Sequence, residues 1–499
     1  MRALAYFLVI LFFIIGLTSF YFGVKKKGRG IFLICLYVFF LIYTAAVGVF
    51  YAHYVPDSSP DESAHIAYVY YLRETGEIIP HFENMHIFNN VVMKWSEEPN
   101  YEYQTSLVNY LCHPPLYYHI MRLAGGFAPT ESDVVMTIHK MQLRYFSMGI
   151  ALIGIGIMLY IGYSRLPKQR PWLHLIYAVT VTNIPMLAYE LCAVTNDALA
   201  LVTSAICILG LIRFCEGKRN VGTYMLIAAG ISASLLTKLT AAMLCIFMAL
   251  IVLIVSMIKE RSLKSLICKE FLFSIPVYAI AAIYYVLVYQ RYGTIHPSLE
   301  LICSKEYFEN TIYYVSEAHR VSYSFNEYLS YYFERFFLSW SGIESIHRFM
   351  KTYTYSLTAI PFELLWVLPV LVFAPIVRKK ADALSLPILA GWISCVLTFI
   401  YQLKSAYGTY ITRGYLGGFA SRYYLPFIPI LALSLALIFV SLLIENGFNA
   451  DTEEIKVNGT IATFGKRMLY NHLIYLSGLG YAALLFYGNF PFFLLHFAS

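Results

Sequence analysis

Long runs of apolar residues, separated by short polar segments, dominate the chain. An apolar run of about 20 residues is long enough to cross a bilayer as a helix. The pattern predicts about twelve such helices, over residues 4–22, 31–52, 145–163, 173–191, 197–214, 222–237, 240–257, 271–290, 359–377, 386–402, 423–444 and 470–489. We therefore expect an all-α polytopic membrane protein.

The composition agrees with a membrane protein. Apolar residues make up 59% of the 499 residues and charged residues only 13%, whereas soluble domains carry roughly 25% charged residues. The net charge of +7 does not indicate a nucleic-acid partner, because most basic residues lie in short loops between apolar runs. We expect a multi-pass protein of the plasma membrane.

The basic loops predict the orientation of the helices. Lysine and arginine concentrate in the short loops at 25–29, 165–170, 213–219, 259–269, 378–380 and 456–467, all on one side of the predicted bundle. Such loops face the cytoplasm. Both chain ends and two long segments, 53–144 and 291–358, then lie outside, and we expect short helices in these segments. The layout divides the chain into a transmembrane unit, 1–444, and a cytoplasmic loop with a final helix, 445–499.

The nine cysteines show no metal-ligand spacing, and most sit inside apolar runs, as small core residues do. A disulfide between Cys112 and Cys303 would join the two outer segments and is left open.

An acidic cluster follows the second apolar run. Asp61, Glu62 and His65 come directly after Pro60, which suits the start of a helix, and Ser59 could cap it. Asp61 and His65 would then share one helix face. Carboxylates at a helix start are also explained by capping alone, so both interpretations stay open.

Four further segments could carry chemistry. His113 precedes Pro114 and Pro115, and Tyr117 follows them; this could equally be a loop corner with aromatic anchors. Asn196 and Asp197 suit either a tight turn or a site. Lys238 lies between two apolar runs, where a cation is costly unless it reaches water or an anion. The fourth segment contains Arg422.

Residues 403–422 form an outer loop that runs against the topology rule. It holds Lys404, Arg413 and Arg422 and no acid. Arginine is well suited to hold a phosphate through two parallel hydrogen bonds. The alternative is an arginine that only anchors a helix at the interface.

Together these motifs resemble the GT-C superfamily of integral membrane glycosyltransferases, especially its bacterial protein O-mannosyltransferases and aminoarabinose transferases. The stretches 60–65, 113–118, 196–198, 237–238 and 422–426 follow one another in the family's order. One departure is that the acidic loop follows the second helix, whereas the family usually reaches it after the first. The resemblance implies a GT-C-like bundle with two long extracytoplasmic loops.

The resemblance also implies a mechanism. A sugar on a polyprenyl phosphate would be transferred with inversion to an extracytoplasmic polymer, lipid or protein. Asp61 would be the catalytic base, with Glu62 beside it. The substrate-binding positions would be His65, His113, Tyr117, Asn196, Asp197, Lys238, Arg422 and Tyr423. Arg422 and Lys238 would stabilise the leaving phosphate, and Glu62 could hold a divalent cation, the one cofactor left open.

A lipid-linked oligosaccharide flippase or a polysaccharide polymerase is the alternative, since charged residues at membrane depth also mark transporters. The acids and histidines lie in the outer loops rather than at the midplane, and no repeat is visible. This distribution favours the transferase. Neither the sugar nor the acceptor follows from the sequence.

Overall fold

The computed structural model describes residues 1–54, 61–90, 100–129, 135–263, 267–340, 384–445 and 461–496. The predicted helix at 359–377 and the predicted cap at Ser59–Pro60 lie outside these ranges. The described helices, in chain order, are α1 (Arg2–Val24), α2 (Arg29–Tyr54), α3 (Glu62–Thr75), α4 (Leu116–Met121), α5 (Lys140–Arg165), α6 (Pro171–Thr182), α7 (Pro185–Leu191), α8 (Asp197–Cys215), α9 (Val221–Leu235), α10 (Leu239–Glu260), α11 (Lys269–Leu272), α12 (Ile275–Tyr292), α13 (Leu299–Ile302), α14 (Lys305–Glu309), α15 (Phe325–Trp340), α16 (Ser385–Arg413), α17 (Ile428–Glu445), α18 (Ile461–Tyr487) and α19 (Phe490–His496).

The helical membrane architecture is confirmed. Within the described ranges, eight helices are long and apolar enough to cross a membrane, and two shorter apolar helices, Val221–Leu235 and His472–Tyr487, accompany them. The predicted total of about twelve is not confirmed. The division into 1–444 and 445–499 stays a prediction, and α18 packs against α1, α6 and α17.

The fourth predicted run, 173–191, is broken into α6 and α7. Asn183 and Ile184 separate the two helices, and Pro185 begins the second. Proline cannot donate a backbone hydrogen bond, and it disfavours a helical conformation in the residue before it. The break matters because it turns α7, with Glu190 near its end, toward the convergence of helix ends described below.

The first outer segment contains a β-sheet as well as short helices, which the sequence did not predict. Four antiparallel strands, β1 (His86–Asn90), β2 (Asn100–Val108), β3 (Phe127–Pro129) and β4 (Val135–Ile138), are arranged in the order β1-β2-β4-β3. β1 packs against α3. Cys112 and Cys303, which could have bridged the outer segments, are both free thiols.

Glycines allow the central helices to pack closely. A side chain at Gly154 would lie 2.7 Å from the backbone nitrogen of Val202, and one at Gly230 would lie 2.6 Å from that of Cys207. Such small residues let membrane helices approach one another. α8 is thereby held between α5 and α9, and its first residue is fixed at one end of the bundle.

The predicted orientation can be tested with two single cysteines. Glu83 lies in the first outer segment and Lys218 in a predicted cytoplasmic loop, and both side chains are exposed. We expect Glu83→Cys to react with a membrane-impermeant maleimide in intact cells, and Lys218→Cys to react only after permeabilisation. The unsubstituted chain supplies the background. The reverse pattern would invert the topology and remove the outer location of the site.

Candidate functional site

Arg422 lies where several helix ends converge. It belongs to a short 3₁₀ segment, Ser421–Phe427, that packs against α7, α8, α10 and α15. Pro426 within this segment limits regular α-helical hydrogen bonding, and α17 begins directly after it at Ile428. The segment therefore places Arg422, which comes late in the sequence, next to helices that come much earlier in the sequence.

The Arg422 guanidinium is shared among three carboxylates. Its Nη2 donates to Asp61 Oδ2 at 3.1 Å, Nη1 is 3.5 Å from Glu190 Oε1, and Nε is 4.0 Å from Asp197 Oδ2. Arg422 and Glu190 are buried, whereas the Asp61 side chain is 25% exposed. Nε and Nη1 of Arg422 and both carboxylate oxygens of Glu190 have no hydrogen-bond partner. Among the described residues, Nη1 and Nε thus face Glu190 and Asp197 without a hydrogen bond, and Nη2 faces Asp61, the most exposed of the three carboxylates.

Asp61 is held in an unusual backbone conformation. It precedes α3 with φ 75° and ψ 3°, in the left-handed region, and it caps the helix without a side-chain hydrogen bond. Aspartate tolerates this region better than most residues, yet the conformation is uncommon and clusters at functional sites. The side chain is instead free to accept from Arg422 and from the Tyr110 hydroxyl.

The surroundings keep Asp61 ionised. Burial raises the pKa of this carboxyl, but the charge of Arg422 and the hydrogen bond from Tyr110 outweigh burial and hold the pKa below its ordinary value. An ionised carboxylate that solvent partly reaches can act as a general base toward a hydroxyl within hydrogen-bond distance.

Lys238 and Asp197 form a second ion pair in the same cluster. Lys238 lies between α9 and α10, and its Nζ is 2.6 Å from both Oδ1 and Oδ2 of Asp197, the first residue of α8. Nζ also lies 4.7 Å from the ring centre of Tyr423, whose ring is 5.8 Å from the Arg422 guanidinium carbon. Tyr423 therefore presents its face to both cations.

Glu62 does not share this surrounding, although it is the neighbour of Asp61. Oε1 accepts from Arg144 Nε at 2.8 Å and from the backbone N–H of Val194 at 3.0 Å. Oε2 lies 2.7 Å from Arg144 Nη2 and 3.1 Å from Lys140 Nζ. Burial raises the pKa of Glu62, but Arg144 and Lys140 reverse this and hold it well below its ordinary value. Both oxygens are occupied, which leaves Glu62 neither the free oxygen of a base nor that of a metal ligand.

The imidazole rings of His65 and His113 lie near Asp61 and are uncharged. Their rings are stacked with centres 6.1 Å apart, and His65 Nδ1 shares a 2.9 Å hydrogen bond with the Tyr118 hydroxyl. Burial lowers the pKa of His65 to about 4 and that of His113 well below its ordinary value. Tyr68 donates to the His113 carbonyl at 2.8 Å and fixes the loop before the two prolines.

Two predicted binding residues point elsewhere. The Tyr117 hydroxyl is bonded to Ser147 Oγ of α5 at 2.9 Å, and the Asn196 amide donates to the Thr237 carbonyl at 3.1 Å. Both contacts join helices and are buried. These contacts support packing roles, and the predicted roles of Tyr117 and Asn196 in substrate binding stay predictions.

The sequence predictions missed Arg144, Glu190 and Tyr110. Arg144 directly precedes the apolar run 145–163, where a charge needs a partner, and this signal was overlooked. Glu190 is the one acid in the run 173–191 and carried the same signal. Tyr110 had no distinguishing signal among 44 tyrosines.

No group of three or more histidine, cysteine, aspartate or glutamate side chains in the described ranges is arranged to hold a metal ion.

Comparison with known proteins gives one family and one set of structures. The family described as predicted membrane protein, DUF2142, matches residues 57–431, a range that contains every candidate site residue. No curated protein matches the chain.

Two of the matching solved structures are of ArnT from Cupriavidus metallidurans. The apo form is 14% identical to this chain with a TM-score of 0.45, and the form bound to undecaprenyl phosphate is 15% identical with a TM-score of 0.46. Each match covers 90% of this chain and 75% of the other. ArnT is a GT-C aminoarabinose transferase, the kind of protein that the motifs resemble.

The contacts of Glu62 predict a role in stability. Glu62→Gln would leave the fully buried Arg144 short of its counter-charge, which typically costs about 3–5 kcal/mol. We expect a clear loss of thermal stability of the purified protein in detergent. The matched control is Glu260→Gln, because the pair between Glu260 and Arg219 is about one-third exposed and such pairs contribute roughly 0–1 kcal/mol. A Glu62→Gln protein of normal stability that has lost activity would return Glu62 to the catalytic candidates.

Proposed function

The chain belongs to the DUF2142 family of predicted membrane proteins, and we propose that it catalyses a reaction at the membrane surface. The proposed reaction transfers a sugar from a polyprenyl-phosphate donor to an acceptor outside the membrane, with inversion at the anomeric carbon. The observation that carries this proposal is the pairing of Asp61, partly exposed and ionised, with the buried Arg422. A proton acceptor and an anion-binding group are thereby fixed side by side.

The chemistry of the transfer matches these two groups. The acceptor oxygen attacks the anomeric carbon while the bond from that carbon to the phosphate oxygen breaks. The proton of the acceptor hydroxyl moves to Asp61, and the electron pair leaves with the polyprenyl phosphate. Since phosphate leaves as an anion, the site must supply charge stabilisation rather than a general acid.

Arg422 is suited to receive the phosphate. Asp61 takes only one of its nitrogens in a hydrogen bond, and Nε and Nη1 remain unbonded. The donor is a phosphodiester with one negative charge, and its leaving group gains a second as the bond breaks. Arg422 and Lys238 would therefore bind the transition state more strongly than the donor itself.

We assign the remaining predicted residues different roles. Glu62, fixed by Arg144 and Lys140, holds the start of α3 so that Asp61 keeps its position. Asp197 orients Lys238. The neutral His65 and His113 line the site without adding charge, and Tyr423 lies beneath the two cations. We place this site at the outer face of the plasma membrane, following the predicted orientation.

Asp61→Asn tests the base. We expect transfer to fall about 10²- to 10⁴-fold, because the amide cannot accept the proton. Turnover is measured by release of polyprenyl phosphate from a radiolabelled polyprenyl-phosphate sugar by purified protein in nanodiscs. The chain should remain folded and should still bind donor.

A matched control for this substitution is Glu77→Gln, which removes a carboxylate on the same outer segment at the far end of α3. Its turnover should be that of the unsubstituted protein. Near-normal turnover of a folded Asp61→Asn protein would remove Asp61 from the role of base. Movement of an intact lipid-linked sugar across the bilayer, with no release of polyprenyl phosphate, would replace the transferase by the flippase.

Arg422→Lys tests the phosphate site. Lysine keeps the charge and loses the forked geometry, so we expect turnover to fall more than donor affinity. Lys238→Gln should act in the same direction. The control is Lys404→Gln, an exposed basic residue of the same predicted outer region that makes no contact with the cluster. Unchanged kinetics in both Arg422→Lys and Lys238→Gln would leave these two residues as helix anchors.

A further inference from the structure

Four tyrosines lie near Asp61 and Arg422, and the transfer reaction described above assigns none of them a contact with the acceptor. They are Tyr110, Tyr313, Tyr415 and Tyr423, and each is partly exposed. We call this set the tyrosine rim. Its members come from four separate places: the loop after β2, the second outer segment, the loop after α16 and the 3₁₀ segment that holds Arg422.

Three rings of the tyrosine rim, those of Tyr110, Tyr313 and Tyr415, contact one another next to the carboxylate. The ring centres of Tyr110 and Tyr313 are 5.2 Å apart, and those of Tyr313 and Tyr415 are 5.3 Å apart, with interplanar angles of 52° and 59°. Tyr110 donates its hydroxyl to Asp61. Burial is the main cause that raises the pKa of Tyr313 and of Tyr415, and the nearby Asp61 and Tyr423 add to it.

These rings differ from the tyrosines of a membrane-interface belt. Belt residues present their rings to the lipid, as Tyr289 does near the outer end of α12, where it is 57% exposed. The rim tyrosines instead face one another, an ionised carboxylate and, through Tyr423, two cations. Their apolar faces and polar hydroxyls are therefore available to a ligand that reaches Asp61.

We propose that the tyrosine rim is the acceptor subsite and that it takes the pyranose ring of a carbohydrate. A pyranose has flat patches of C–H groups, which pack on aromatic faces, and a rim of hydroxyls, which bond to tyrosine hydroxyls and to a carboxylate. An acyclic polyol has the hydroxyls without a rigid apolar face, and a lipid tail has no hydroxyls to match the polar edges. The inference rests on the proposed function, since an acceptor presupposes transfer.

Binding of defined saccharides tests the subsite without any turnover. Saturation-transfer NMR on the protein in nanodiscs would use maltotriose, mannotriose and chitotriose as pyranose probes. Ribitol and a threonine-containing hexapeptide would represent the acyclic and protein acceptors. We expect ring-proton signals from at least one saccharide, and an affinity about three- to tenfold weaker in Tyr313→Ala and in Tyr415→Ala. Tyr313→Phe, which keeps the ring, should retain most of the affinity.

Tyr289→Ala is the matched control, because it removes a tyrosine from the same predicted side of the membrane that faces away from the rim. It should bind saccharide as the unsubstituted protein does. The proposal would be overturned if no saccharide in the panel gave a signal. It would also be overturned if the saccharide affinity were unchanged in both Tyr313→Ala and Tyr415→Ala. So would binding of ribitol or the hexapeptide that depends on the same two tyrosines.

The Asp61→Asn protein separates this inference from the proposed function. It should still bind the saccharide, because the rings remain in place, while polyprenyl phosphate release is lost. Saccharide binding that depends on the rim, in a protein whose turnover does not depend on Asp61, would keep the subsite and reject the mechanism. Loss of turnover in Asp61→Asn with no saccharide binding would keep the mechanism and reject the subsite.

Discussion

The burial of Arg422 among carboxylates from three parts of the chain is the interaction on which the candidate site depends. A guanidinium cannot release its proton in a protein, so once it is buried it must be neutralised by its neighbours. Asp61, Glu190 and Asp197 do this together, at distances between 3.1 and 4.0 Å. None of the three carboxylates contacts all of the guanidinium nitrogens, so Arg422 joins the first outer segment to α7 and α8. Its Nε and Nη1 make no hydrogen bond with a described residue.

A second buried ion cluster supports the first. Arg144 bonds to both oxygens of Glu62 and donates to the Ala52 carbonyl at 2.7 Å, which ties the start of α3 to α2 and α5. Asp61 is the residue before Glu62, so its position follows from this anchor. The two adjacent acids therefore differ: the Glu62 carboxylate is buried in ion pairs, and the Asp61 carboxylate is partly exposed. The difference comes from the partners of each residue, since both side chains are carboxylates.

The charges and rings around Asp61 suit a substrate with both anionic and sugar-like parts. Lys238 and Arg422 lie over the ring of Tyr423, and the other three tyrosines of the rim contact one another next to Asp61. The histidines between them are neutral at physiological pH, since burial has lowered the pKa of His65 to about 4. Of the charged groups in this cluster, Asp61 has the most exposed side chain, 25% against 10% for Arg422, and it contacts both Arg422 and Tyr110.

The sequence by itself determined the membrane class, most helices and four of the charged residues in the cluster. Helical runs and their flanking lysines and arginines are local features, and a charge at the end of an apolar run is costly enough to be noticed without coordinates. Lys238 and Arg422 were found in this way, whereas Asp61 was found in an acidic cluster at a helix start and Asp197 in a turn. Only the tertiary structure showed which charged residues pair with one another. A contact such as that between Glu62 and Arg144, which are 82 residues apart, leaves no signal in the local sequence. For the same reason the sequence did not show that Glu190 pairs with Arg422 or that the four tyrosines of the rim lie together. It also did not show the antiparallel sheet, whose strands are short and are defined by pairing across the loop.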